Sequence, residues 1–171
     1  MKIKNELMKI FCNDIRNKCL TIYTNMINKI NELPADYDHH FYPGGWKIYT
    51  ENVMEFSLDL YDQMHNTVFK GVRKDDVILL SFIHHISSLY KFIKNPHVNS
   101  NKQFILNSMY ANIPDEFITL NALAEFGLFL DSIQLLALCS LQRDIFIESR
   151  LGALVKAAAI IGRELNKKTG R

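Results

Sequence analysis

An all-α fold, a single-domain bundle of six to eight helices, is predicted by three features of this 171-residue chain. Breakers are few, with 7 glycines and 4 prolines, too sparse for the turn density of a β protein. Apolar residues recur at steps of three and four over long stretches, the period of an amphipathic helix. No segment of useful length alternates with the period of two that a half-buried strand requires. The length suits one domain. Such a chain buries about two-thirds of its unfolded surface and needs no disulfide or metal to hold it together.

The elements follow in order. Ile3, Met8, Ile10, Phe11, Ile15, Cys19, Ile22, Tyr23, Met26, Ile27, Ile30 and Leu33 predict one long helix over 3–33. This N-terminal segment, residues 1–34, is expected to form one compact unit with residues 35–171, and Pro34 stops its helix. A loop rich in aromatics and histidine then ends in Pro43-Gly44-Gly45, where glycine permits positive φ or a close approach to the backbone. The next helix runs from Trp46 to Asn66, with Trp46, Tyr49, Val53, Phe56, Leu60 and Met64 as its buried stripe. Asp75 and Asp76 open a helix over 75–93, apolar on most sides and therefore central. A polar loop over 95–101 and a short element over 102–110 follow. Pro114-Asp115-Glu116 opens a helix that Gly127 ends. Asp131-Ser132 caps a helix over 131–142. The last helix, 148–167, carries Gly152, Ala153, Ala157, Ala158, Ala159 and Gly162, and such small sides allow close packing.

The net charge of +2 is close to neutral and gives no electrostatic case for nucleic acid, which needs clustered cations. Arg163, Lys167, Lys168 and Arg171 are basic, but cations at a helix C-terminus complement its dipole. Cys12, Cys19 and Cys139 make an odd count, and Cys12 and Cys19 lie ~10 Å apart along one helix face, too far to bridge. The first residues contain no apolar leader core. No run approaches the ~20 apolar residues of a membrane span. The expectation is a reduced, cytoplasmic setting without membrane association.

Two segments carry the chemistry. Residues 38–53 read Asp-His-His-Phe-Tyr-Pro-Gly-Gly-Trp-Lys-Ile-Tyr-Thr-Glu-Asn-Val, and residues 83–89 read Ile-His-His-Ile-Ser-Ser-Leu. Together they resemble the motifs of the HD-domain family of metal-dependent phosphohydrolases. The similar branch has a first motif His-His-x-Tyr-x-Gly-Gly-Leu-Leu-Glu-His-Thr and a second motif His-Asp-Ile-Gly-Lys. The resemblance covers residues 35–165 and implies an HD-like helical domain. In active members a histidine, a His-Asp pair and a late aspartate hold a divalent metal, which activates water and clamps a phosphate oxygen.

This chain keeps the frame and departs at the ligands. The first metal histidine falls on Tyr49, whose phenol has a pKa near ~10 and ligates Mg²⁺ or Mn²⁺ poorly. The His-Asp pair falls on His84-His85, and the late aspartate falls on Ala159, with Lys156 facing the same centre. One surviving imidazole does not hold a divalent ion against water. The resemblance therefore implies no metal. A rearranged site would use His84, His85, His39 and His40, with His65 or His97 nearby, and four imidazoles suit zinc. The candidate ligand-binding set is His39, His40, Tyr42, Gly44, Gly45, Tyr49, His84, His85 and Lys156, able to hold an anion without metal. Phe41, Tyr42, Trp46 and Tyr49 are also candidates for stacking a base, although the spacing of Trp46 and Tyr49 equally suits a core stripe. There is no phosphate-binding glycine loop and no serine nucleophile elbow.

The expected function is that of a catalytically inactive HD-like protein. It binds a protein partner or a nucleotide or phosphate ligand and needs no cofactor. Small HD-like chains of this kind occur in phage genomes, which the lysine-, asparagine- and isoleucine-rich usage suits, and a phage-encoded modulator would act in the host cytoplasm. The alternative is a metal-dependent phosphohydrolase of nucleotides or nucleic acid with rearranged ligands. A third expectation gives the long first helix a partner-binding surface.

Overall fold

The computed structural model describes residues 2–97, 103–142 and 149–168. The polar loop over 98–101, Arg171 and the side chains of Lys167 and Lys168 lie outside the described residues. The chain is a small all-α single domain, as the periodicity predicts. Its helices are α1 (Lys2–Leu7), α2 (Asn13–Asn25), α3 (Ile27–Glu32), α4 (Gly45–Met64), α5 (Lys74–Ile83), α6 (Ser88–Lys91), α7 (Asp115–Glu125), α8 (Ser132–Gln142) and α9 (Arg150–Lys168). Two short strands, β1 (Phe92–Lys94) and β2 (Phe104–Leu106), pair antiparallel with Ile93 opposite Ile105. At three residues each, they are too short for alternation to register in the sequence.

The expected helix over 3–33 is divided in two places. Between α1 and α2 the chain leaves the helix so that Phe11 N and Cys12 N donate to the Asp75 carboxylate, at 3.0 and 3.1 Å. Arg16 Nη1 donates to Ile10 O at 3.1 Å across the same break. Both ties replace helical hydrogen bonds, so the periodicity persists while the helix does not. At Met26 the backbone only bends (φ −96°, ψ 6°), and Met26 N and Ile30 N still donate to carbonyls four residues back. Ile3, Leu7, Ile10, Cys19, Ile22, Tyr23 and Ile30 are all buried in the main core. α1 and α3 carry this stripe onto α4, and α1 also meets α5, while Met8 and Phe11 of the same segment are exposed.

The predicted 75–93 helix also stops early. α5 ends at Ile83, and residues 84–87 turn before the single turn of α6. α4 is the organising rod, lying against α9 along one side and α5 along another, while α8 backs α9. The small residues of α9 make this possible. A Cβ on Gly162 would lie 3.5 Å from the Tyr49 ring, and one on Gly152 would lie 2.1 Å from Ser140 Oγ. The caps behave as local chemistry dictates. Asp131 and Gln134 exchange side chain-to-backbone bonds at 3.0 and 2.9 Å, a reciprocal capping box opening α8. Gly127 (φ 65°) closes α7, with Leu128 N donating to Leu123 O at 3.0 Å. Among the described residues no helix is long and apolar enough to cross a membrane.

The adjacent aspartates at the start of α5 are built differently, and the difference is measurable. Asp76 is buried, receives two bonds from Arg73 at 2.7 and 2.9 Å and accepts from Gln134 Nε2 at 2.8 Å. Asp76→Ala strands the buried Gln134 amide and costs about 2–3 kcal/mol in chemical denaturation. Asp75→Ala removes a solvent-facing clasp and costs about 1 kcal/mol.

Candidate functional site

The site is built from a loop, a turn and two helices. The loop over 35–45 folds back on itself, with Ala35 N donating to His40 O and Asp36 N to His39 O, both at 3.2 Å. Tyr37 and Phe41 pack on each other and on Phe92, and Phe41 also meets Phe104, so the small sheet anchors the loop. His40 holds a left-handed φ of 51°, a strained conformation for a residue with a side chain. Gly44 supplies positive φ (73°), and Gly45 supplies space, since a Cβ there would lie 1.9 Å from His40 O. Gly45 N donates to Tyr42 O at 2.9 Å and Trp46 N to Leu33 O at 3.2 Å. The first amides of α4 are therefore answered within the protein, and the glycine pair works as a hinge and spacer for the loop.

The turn after α5 is held through its carbonyls. Trp46 Nε1 donates to His85 O at 2.7 Å, and Gln142 Nε2 donates to His84 O at 3.0 Å. Trp46 itself is fully buried. This places His84 and His85 against the loop. Tyr49 stands in the middle, its ring centroid 4.5 Å from His39, 5.4 Å from His40, 5.5 Å from His84 and 5.2 Å from His85. All five side chains are buried. Trp46 and Tyr49, both at 0% exposure, are core and not a platform for a base.

Hydrogen bonds set the tautomers. His84 Nδ1–H donates to Ser81 O at 2.8 Å, which leaves the lone pair on Nε2, buried and without a partner. His85 Nε2–H donates to Ala35 O at 3.0 Å, which leaves the lone pair on Nδ1. His39 Nδ1 and His40 Nδ1 share a proton across 3.3 Å, and His39 Nε2 is buried and unpartnered. That nitrogen lies 4.0 Å from Asp36 Oδ2. Burial, reinforced by the neighbouring cationic forms, pushes His39 and His84 down to about 3, and burial with His85 pushes His40 to about 4. Burial also lowers His85, against the pull of Asp36 and Asp115. The four imidazoles are neutral at pH 7. Burial raises the Tyr49 phenol, opposed by the Arg163 guanidinium, which approaches the hydroxyl without closing a well-aligned hydrogen bond.

Beside this cluster lies a polar cleft of about 140 Å³. Lys156, Ala159, Ile160 and Arg163 of α9 line it together with His84, His85, Leu141, Gln142 and the carboxylates Asp36 and Asp115. Asp115 is engaged by Lys91. Of the sequence-predicted residues, the structure gathers His39, His40, Tyr49, His84 and His85 into one cluster and puts Lys156 in the lining of the adjoining cleft. Tyr42 is half-buried beside His40, at a ring distance of 5.8 Å. His65 does not join them. It bonds its own helix and stacks on Tyr61, ~24 Å along α4 from Tyr49. His97 is exposed beyond β1.

Two residues were missed. Arg163 has the position of an ordinary helix-end cation, yet it lies seven residues after Lys156 and so on the same helix face. Asp36, three residues before His39, offers a carboxylate within 4.8 Å of donor atoms of His39 and His85. Compared with protein-family models, curated proteins and solved structures, the chain has no match.

Two outcomes follow from this geometry. Gly45→Ala drives a methyl into a backbone carbonyl that cannot rotate away, and costs about 2–3 kcal/mol by denaturation. Secondly, an unfolded chain protonates His39, His40 and His84 near ~6.5, whereas the folded one keeps these three neutral down to about 3 to 4. The unfolded state therefore binds more protons in that window, and stability is complete above ~6.5 and declines as the pH falls. Each buried imidazole contributes a slope of up to about 1.4 kcal/mol per pH unit, read from denaturation midpoints in chelator-containing buffer. Stability that is flat from pH 7 to 4.5 would contradict neutral burial.

Proposed function

We propose that this chain binds a small phosphate-bearing ligand on a phosphohydrolase-like frame without hydrolysing it. The observation that carries the reading is the pairing of Lys156 and Arg163 in the lining of a polar cleft, together with His84 and His85. A phosphate oxygen accepts charge-assisted bonds from an ammonium and a guanidinium, the latter in a two-pronged geometry. The cleft holds several waters or one phosphate group. The HD-domain resemblance supports the same reading, since it implies a phosphate site at this centre. It also implies the loss of hydrolysis, because Tyr49 and Ala159 stand where a metal-activating histidine and aspartate would be needed. A cytoplasmic setting with Cys12, Cys19 and Cys139 as free thiols belongs to this reading.

Calorimetry with inorganic phosphate and with nucleoside mono- and diphosphates tests it. Binding to the wild type is expected, with affinity falling about 10- to 100-fold in Lys156→Ala and in Arg163→Ala, the loss of one charge-assisted contact each. The phosphate compounds are recovered intact after incubation. No binding by the wild type, or metal-stimulated release of phosphate, would defeat the proposal.

A further inference from the structure

The buried nitrogen of His39 needs an explanation. Its side chain is 2% exposed, its Nε2 has no partner, and its nearest anionic neighbour is Asp36 Oδ2 at 4.0 Å. A native structure rarely leaves such an atom unsatisfied unless something else occupies the site. His85 contributes the third donor, and atoms of Asp36, His39 and His85 all lie within 4.8 Å of one another. We propose that these three side chains bind one divalent transition metal ion of borderline softness, of the zinc class.

The tautomers fit a ligand role. His85 donates its Nε2–H to Ala35 O, which keeps its lone pair on Nδ1. His39 can keep its proton on Nδ1 toward His40 and present a bare Nε2. A metal-bound imidazole characteristically gives its other N–H to a carbonyl or another acceptor, which fixes its orientation. The carbonyl that holds His85 belongs to Ala35, immediately before Asp36. One tight loop thus carries two donors and positions the third.

The donor set selects the ion. Two imidazole nitrogens and one carboxylate suit zinc, cobalt or iron(II), and not magnesium or calcium, which take oxygen ligands. Tetrahedral zinc sets its donors ~3.4 Å apart, given bonds of ~2.0–2.1 Å. The set must close from its present spacing. Asp36 lies on a loop with its side chain 41% exposed, and while Oδ1 accepts from Tyr37 N at 2.6 Å, Oδ2 is the oxygen that turns to His39 and would close on the ion. Of the three, only His85 stands where the family resemblance implies a ligand, so the set belongs to this chain. Asp36 and His85 also line the polar cleft, which gives the ion a route from solvent. The inference goes beyond phosphate binding and does not depend on it.

The test uses the full chain, freed of metal by chelation, and the metal alone. Calorimetry with Zn²⁺ is expected to show one ion per chain, with no uptake of Mg²⁺. Co²⁺ is expected to bind with the visible absorption of a low-coordinate site. Asp36→Asn and His39→Ala each lower Zn²⁺ affinity at least about 100-fold, since even supporting residues of such sites are worth 10- to 100-fold. His65→Ala, remote from the cluster, leaves it unchanged. Asp36→Asn alters a half-exposed loop side chain, so its far-ultraviolet dichroism and melting should match the wild type. Failure of the wild type to take up zinc would overturn the proposal. So would uptake that survives both Asp36→Asn and His39→Ala, or that is lost equally in His65→Ala.

Discussion

Four imidazoles packed around one phenol form a stable arrangement only while none of them is protonated. A single charge among His39, His40, His84 and His85 would be buried against three like-prone neighbours and a guanidinium. The surrounding structure serves this requirement. Ser81 O and Ala35 O each take one imidazole proton, and the paired Nδ1 atoms of His39 and His40 share another. The carbonyls of His84 and His85 are themselves occupied by Gln142 and Trp46. Most ring nitrogens are thus matched, while His39 Nε2 and His84 Nε2 stay without a partner.

Much of the fold is legible because period and punctuation agree. α4, α7, α8 and α9 lie within a few residues of where apolar spacing, Pro114, Gly127 and Asp131 put them. The break between α1 and α2 was invisible for a physical reason. Its cause is a carboxylate 63 and 64 residues away, and local spacing carries no trace of it. The early end of α5 has the same origin, since carbonyl bonds from Trp46 and Gln142 draw His84 and His85 into a turn while Ile86 and Leu89 keep the helical spacing.

The site was legible in its rings and illegible in its charges. Paired histidines ahead of two glycines and another pair on an apolar segment attract notice as residue types. Asp36 and Arg163 do not, because single charged residues on loops and late helix turns are ordinary. Only the tertiary fold reveals that the loop returns Asp36 to His39 and that α9 lays Arg163 over Tyr49. The small residues that permit this contact, Gly162 above all, were noticed as packing features, yet their consequence is electrostatic: they bring a cation to the edge of a neutral histidine cluster.

The amides at the start of α4 are spent on Tyr42 O and Leu33 O. Many anion sites instead point such amides at their ligand and so hold it with rigid backbone. In the proposed phosphate site the grip would fall instead to the tips of two long side chains, whose rotamer freedom is large. A molecule held in that way would come and go quickly, and its occupancy would follow the surrounding concentration from moment to moment, as suits a gauge better than a store.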